Sequence, residues 1–120
     1  MQSDNTVLIR FSDEFEQEFY RLSKRFRNIR SDVQPIIEQL QQGNIVGIRI
    51  AGIGEEYIIY KVRVRNSHIQ KGKSAGYRLN YQVESPTSIL LLTIYSKSDR
   101  EDIGVNEIRE ILADFDSGEG

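Results

Sequence analysis

The chain has 120 residues, a formal net charge of −2, 38% hydrophobic and 28% charged residues, one histidine and no cysteine. Those values fit one soluble domain with a single core, spanning 1–120, and they exclude a disulfide framework, a thiolate nucleophile and a cysteine metal cluster. His68 alone excludes the paired-histidine scheme of many ribonucleases and speaks against a histidine metal site, so no metal and no cofactor are expected.

The first six residues are polar and are expected to be flexible, as is 116–120. The start, MQSDNTVLIRF, lacks the basic and apolar regions of a secretory signal. No apolar run approaches the roughly 20 residues of a membrane span, so no membrane is expected and the expected compartment is the cytoplasm.

Val7 to Phe11 reads as a short strand. Ser12 stands where an N-cap belongs, with Asp13 and Glu14 in the favoured first turn. Phe15, Phe19, Leu22 and Phe26 then form the apolar stripe of a helix, and Lys24, Arg25 and Arg27 lie near its C-terminal end. Asn28 to Arg30 reads as a connection. A second helix is predicted from Ser31 or Asp32, with Pro35 in its first turn and Gly43 as its stop.

From Ile45 the period changes to two. Strands are predicted over Ile45–Ile50, Tyr57–Arg65, Tyr77–Val83 and Ile89–Tyr95, separated by a glycine turn at Ala51–Glu56, a basic loop at Asn66–Ala75 and a turn at Pro86. The last strand is apolar on both faces, as a central strand is. Asn106 is placed to cap a final helix bearing Ile108, Ile111, Leu112 and Phe115. The expected class is α+β: a two-helix N-terminal hairpin on a mainly antiparallel twisted sheet of four to five strands, plus a C-terminal helix.

Charge is distributed unevenly along this order. Tyr57 to Val83 carries Lys61, Arg63, Arg65, Lys71, Lys73 and Arg78 with no acid, whereas Asp99 to Gly120 carries eight acids against two bases. Strand alternation puts Lys61, Arg63 and Arg78 on one face, which the helical hairpin would leave as an open concave surface. Same-face residues on paired strands are about 5 Å apart, so these cations repel one another and gain from a phosphodiester that bridges them. The bland alternative is a solvated sheet face. Tyr81 shares a face with Leu79 and Val83 and reads as core; Tyr95, at a strand end beside Lys97, is either core or a site residue. The acids Asp99, Glu101 and Asp102 read as a solvated face. The KGKSAG loop is not a P-loop, because a strand rather than a helix follows it.

The stretch YKVRVRNSHIQKGKSAGYRLNYQV, followed by ILLLTIYSKSDREDI, resembles the C-terminal half of the RelE/ParE superfamily, the toxins of bacterial type II toxin–antitoxin systems. The resemblance runs from about Val7 to Leu112. It implies a small microbial-RNase-like fold and, for RelE- and HigB-like members, ribosome-dependent, metal-independent mRNA cleavage by 2′-hydroxyl attack on the adjacent phosphate. Carried across, Lys61 and Arg63 match the basic strand pair and Arg78 the arginine after the glycine–aromatic step, with Tyr95 as a further catalytic candidate. Arg65, Lys71, Lys73, Lys97 and Arg100 are the expected RNA contacts. The sequence departs from the pattern at Ser98, where a second arginine belongs, and at Gly104, where a tyrosine belongs. The implied partners are a cognate antitoxin, the ribosome and mRNA. ParE-type inhibition of DNA gyrase without RNA cleavage, or a weakened toxin that only binds RNA, is the alternative.

Overall fold

The computed structural model describes residues 6–67 and 76–119. The polar start up to Asn5, His68, Lys71, Lys73 and the rest of the KGKSA loop, and Gly120 lie outside the described residues. The order is β1 (Leu8–Phe11), α1 (Asp13–Arg25), α2 (Ile29–Gln41), β2 (Ile48–Arg49), β3 (Ile59–Val64), β4 (Tyr77–Ser85), β5 (Ser88–Ser96) and α3 (Val105–Glu119). The strands form one sheet in the order β1-β5-β4-β3-β2, antiparallel except where β1 runs parallel to β5. The α+β class, the mainly antiparallel sheet and the central place of the last strand are therefore as the sequence implies.

The start of α1 is fixed by one side chain. Ser12 Oγ accepts from the Phe15 N–H at 3.0 Å and donates to the Leu92 carbonyl at 2.6 Å. Its own N–H reaches the Leu91 carbonyl at 3.0 Å. A cap that satisfies a helix N–H thus also ties the helix to β5. Leu92 is the extra residue of a bulge, since Leu91 pairs with Tyr81 and Thr93 with Asn80.

The helix stripe reads as predicted: Phe15, Leu22 and Phe26 are buried and Phe19 is half-buried. They share a core with Ile29, Val33 and Leu40 of α2 and with Val62, Val64, Tyr77, Leu79 and Tyr81 of the sheet. The end of α2 is a Schellman turn, in which Gly43 N–H meets the Leu40 carbonyl and Asn44 N–H the Gln39 carbonyl, with Gly43 at φ +88°.

Four local expectations need correction. The second helix starts earlier, at Ile29, because Ile29 is drawn into the core and the Asn28 carbonyl accepts the first helical bond from Asp32. Pro35 therefore lies inside α2, on its exposed side. The strand expected over Ile45–Ile50 shrinks to Ile48–Arg49, because both backbone groups of Val46 are taken by the Tyr81 hydroxyl. The final helix starts at Val105, with the Gly104 carbonyl accepting from Ile108, so Asn106 does not cap it. It continues to Glu119.

The opposite face of the sheet is not wholly open. Ile108, Ile111 and Leu112 of α3, with Ile103, pack on Ile59, Leu90, Leu92 and Tyr95 to make a second core. The expected open concave surface is thereby reduced to the end of the sheet that α3 leaves uncovered.

Candidate functional site

Alternation along β3 and β4 sends Val62, Val64, Tyr77 and Leu79 into the first core and leaves Lys61, Arg63, Arg78 and Asn80 on the other face. The strand register arranges these in two rows. Arg63, Arg78 and Tyr95 lie directly opposite one another across β3, β4 and β5, and Lys61, Asn80 and Thr93 form the neighbouring row. Gly76 permits the close approach that starts β4, since a Cβ there would stand 2.2 Å from the Val64 carbonyl oxygen.

The result is a cleft of about 350 Å³ lined by four cations, Lys61, Arg63, Arg78 and Lys97, and two acids, Glu101 and Asp102. Arg78 is the unusual member. Arg78 is only 5% exposed, yet among the described residues its guanidinium makes a single hydrogen bond, a long 3.3 Å contact from Nη1 to the Tyr77 carbonyl. Among the described residues no carboxylate lies within ion-pair distance of Arg78 or of Arg63. A guanidinium withdrawn from water without an anion is costly, and a second arginine directly opposite raises that cost. Asn80, 0% exposed on the same face, has neither amide atom bonded among the described residues. Buried amides of this kind need a polar partner.

Lys61 is engaged differently. Its Nζ lies 3.3 Å from both carboxylate oxygens of Asp102. The basic stretch itself holds no acid, but Asp102, expected on a solvated face, is brought to it by the fold: Asp102 follows β5, and β5 ends beside the end of β4 that carries Arg78. Asp102 Oδ1 also accepts from the Tyr95 hydroxyl at 3.1 Å and from the Ile103 N–H at 2.9 Å. Burial pushes the Asp102 pKa up, but the Ile103 N–H, the Lys61 ammonium and the Tyr95 hydroxyl outweigh it and hold the group below the usual carboxylate range. Burial raises the Tyr95 phenol well above its ordinary value, helped by its bond to Asp102. Tyr95 is therefore both a core residue, packed against α3, and a protonated donor at the edge of the cleft.

The remaining candidates separate. Lys97 joins the cleft. Arg65 is exposed beyond the end of β3. Arg100 is clamped by Glu107 at 3.1 and 2.6 Å and lies over the Tyr95 ring at 5.3 Å, so it braces the approach to α3. Asp99 pairs with Arg25 at 2.6 Å. Sequence reasoning passed over Glu101 and Asp102 as cleft residues. The signal that places them is topological: an acidic run leaving a central strand beside the basic ends of its neighbour. A larger hollow of about 560 Å³ lies at the 51–56 turn, but its Arg109 is taken up by the carbonyls of Gly52 and Ile53.

No family model and no curated protein sequence matches the chain. No helix among the described residues is long and apolar enough to cross a membrane.

Proposed function

We propose that the chain is a RelE-like toxin of a type II toxin–antitoxin pair, a metal-independent endonuclease that cleaves mRNA on the ribosome in the cytoplasm. The observation that carries this reading is the Arg63–Arg78 pair: two arginines paired in register on one face of β3 and β4, one buried, neither with a carboxylate within ion-pair distance among the described residues. A phosphodiester supplies the missing anion, and arginine binds its oxygens bidentately.

In this reading Arg78 and Arg63 hold the non-bridging oxygens. The ribose 2′-hydroxyl attacks the adjacent phosphorus, the bond from phosphorus to the 5′-oxygen breaks, and a 2′,3′-cyclic phosphate and a 5′-hydroxyl result. Charge developing on the phosphorane is stabilised by both arginines and by Lys61 once the phosphate displaces Asp102. Each such donor is worth roughly 3–4 kcal/mol at the transition state. Tyr95, held protonated, donates rather than accepts. A separately encoded antitoxin would neutralise the site by laying acidic groups over the same cations.

Primer extension on a reporter mRNA, with and without ribosomes, tests the reading. The expected result is cuts within codons that require ribosomes and fall by roughly 10² to 10³-fold in Arg63→Ala or Arg78→Ala. Engagement of Lys61 by Asp102 favours a second reading, a weakened toxin that binds RNA without cutting it. Binding without cuts would be its signature. Loss of gyrase supercoiling in place of cuts would assign the ParE-type activity.

A further inference from the structure

The sequence holds a second acid-free basic stretch that the cleft does not use. Arg21 to Arg30 contains Arg21, Lys24, Arg25, Arg27 and Arg30 and no carboxylate. It forms the last turns of α1, the connection and the first turn of α2. Two of its cations are satisfied by carboxylates, Arg21 by Glu18 and Arg25 by Asp99. Lys24, Arg27 and Arg30 are exposed and have no carboxylate within ion-pair distance among the described residues.

The helix dipoles do not account for this set. Lys24 suits the C-terminal end of α1, but Arg30 stands in the first turn of α2, where the dipole disfavours a cation. Two of the three, Lys24 and Arg30, are instead laid over aromatic rings. Lys24 Nζ is 4.7 Å from the Tyr20 centroid and the Arg30 guanidinium 5.6 Å from the Phe19 centroid. Tyr20 remains 60% exposed, which leaves a large ring in solvent beside unpaired cations. Interleaved aromatics and cations form the kind of surface on which single strands stack and bind.

The junction also adjoins the cleft. Arg25 reaches Asp99, two residues from the cleft's Lys97, and Asn28 Nδ2 donates at 3.1 Å to Ser67 Oγ, two residues past Arg65. We propose that Lys24, Arg27 and Arg30, with the Tyr20 ring, form a second seat for an RNA phosphodiester backbone, holding the strand outside the cleft. This rests on the cleft being a phosphodiester seat but not on its cutting RNA.

Fluorescence anisotropy with uncleavable 2′-O-methyl single strands of increasing length, titrated at several salt concentrations, tests it. The expected result is a length threshold: strands too short to leave the cleft bind wild type and K24A/R27A/R30A alike. Longer strands bind wild type with a steeper salt dependence. Neutralising three phosphates contributes about 2 to the slope, so wild type should lose about 20-fold more affinity than the triple variant between about 50 and 200 mM salt. The charge-preserving K24R/R27K/R30K should restore the wild-type slope, and urea midpoints of both variants check that they fold. Equal slopes for wild type and the triple variant on long strands overturn the proposal. So does binding to phosphatidylserine vesicles through these residues without any dependence on RNA length. Short-strand binding that ignores R63A/R78A counts against the reading of the cleft, and the long-strand slope still decides the junction.

Discussion

At the residue scale the site is built by opposing local rules. Arg63 and Arg78 face each other across β3 and β4, where like charges destabilise by roughly 0.2–1 kcal/mol. Removing Arg63, the exposed partner, relieves that repulsion and opens no cavity. Arg63→Ala should therefore leave folding stability unchanged or raise it by up to about 0.5 kcal/mol in urea unfolding, while cutting RNA cleavage. A loss above about 1 kcal/mol would show that the pair is structural. The cations were legible in the sequence because strand alternation alone assigns Lys61, Arg63 and Arg78 to one face. Their partner was not. Asp102 is 41 residues from Lys61 and meets it only because β5 lies beside β4. Tyr95 could be read as core or as site, and it is both: its ring packs on α3 while its hydroxyl meets Asp102.

At the element scale the helices were more legible than the strands. The Phe15–Phe26 stripe and the Ser12 cap are local signals, and both hold. The strand expected at Ile45–Ile50 fails for a tertiary reason: the Tyr81 hydroxyl accepts the Val46 N–H at 3.0 Å and donates to its carbonyl, taking the groups a ladder would use. The chain then passes close under β3 at Gly47, where φ is +98° and a Cβ would stand 2.4 Å from the Lys61 carbonyl oxygen. Gly43 also has positive φ, but a Cβ there meets nothing within 4 Å. The two glycines separate conformational strain from close contact. Gly43→Ala should cost about 1 kcal/mol, whereas Gly47→Ala, which combines strain with a backbone clash, should cost about 2–3 kcal/mol in urea unfolding. Because the clash falls on the residue that presents the Lys61 side chain, Gly47→Ala should also lower cleavage. Equal costs for the two substitutions would mean that β2 yields without disturbing β3.

At the scale of the whole molecule, one sheet separates two cores, and each holds phenols that the fold keeps neutral. Tyr77 and Tyr81 are buried under α1 and α2, and Tyr95 under α3. Burial pushes Tyr81 up to about 12 from 10.0, against the opposing bond to the Val46 backbone. Burial raises Tyr77 further, with Asp32 adding to the effect, and Tyr95 likewise with Asp102. A phenol whose folded pKa lies above its unfolded value stabilises the fold fully below the unfolded pKa. That stability is lost as pH rises through the folded value, because the unfolded chain releases the proton first. Stability should therefore be unaffected by these groups below about pH 9 and fall above about pH 10, with a slope approaching 1.4 kcal/mol per pH unit for each of the three tyrosines. Urea unfolding at a series of alkaline pH values, followed alongside tyrosinate absorbance, measures both the loss and the protons released. Tyr81→Phe should remove one tyrosine's share of the slope and lower stability at neutral pH, since it also releases Val46. A steep alkaline loss shared by both cores would show that the sheet unfolds as one unit. Tyrosinate appearing at Tyr95 before the loss of stability would instead show α3 opening alone, and with it the covered half of the face that carries Arg63 and Arg78.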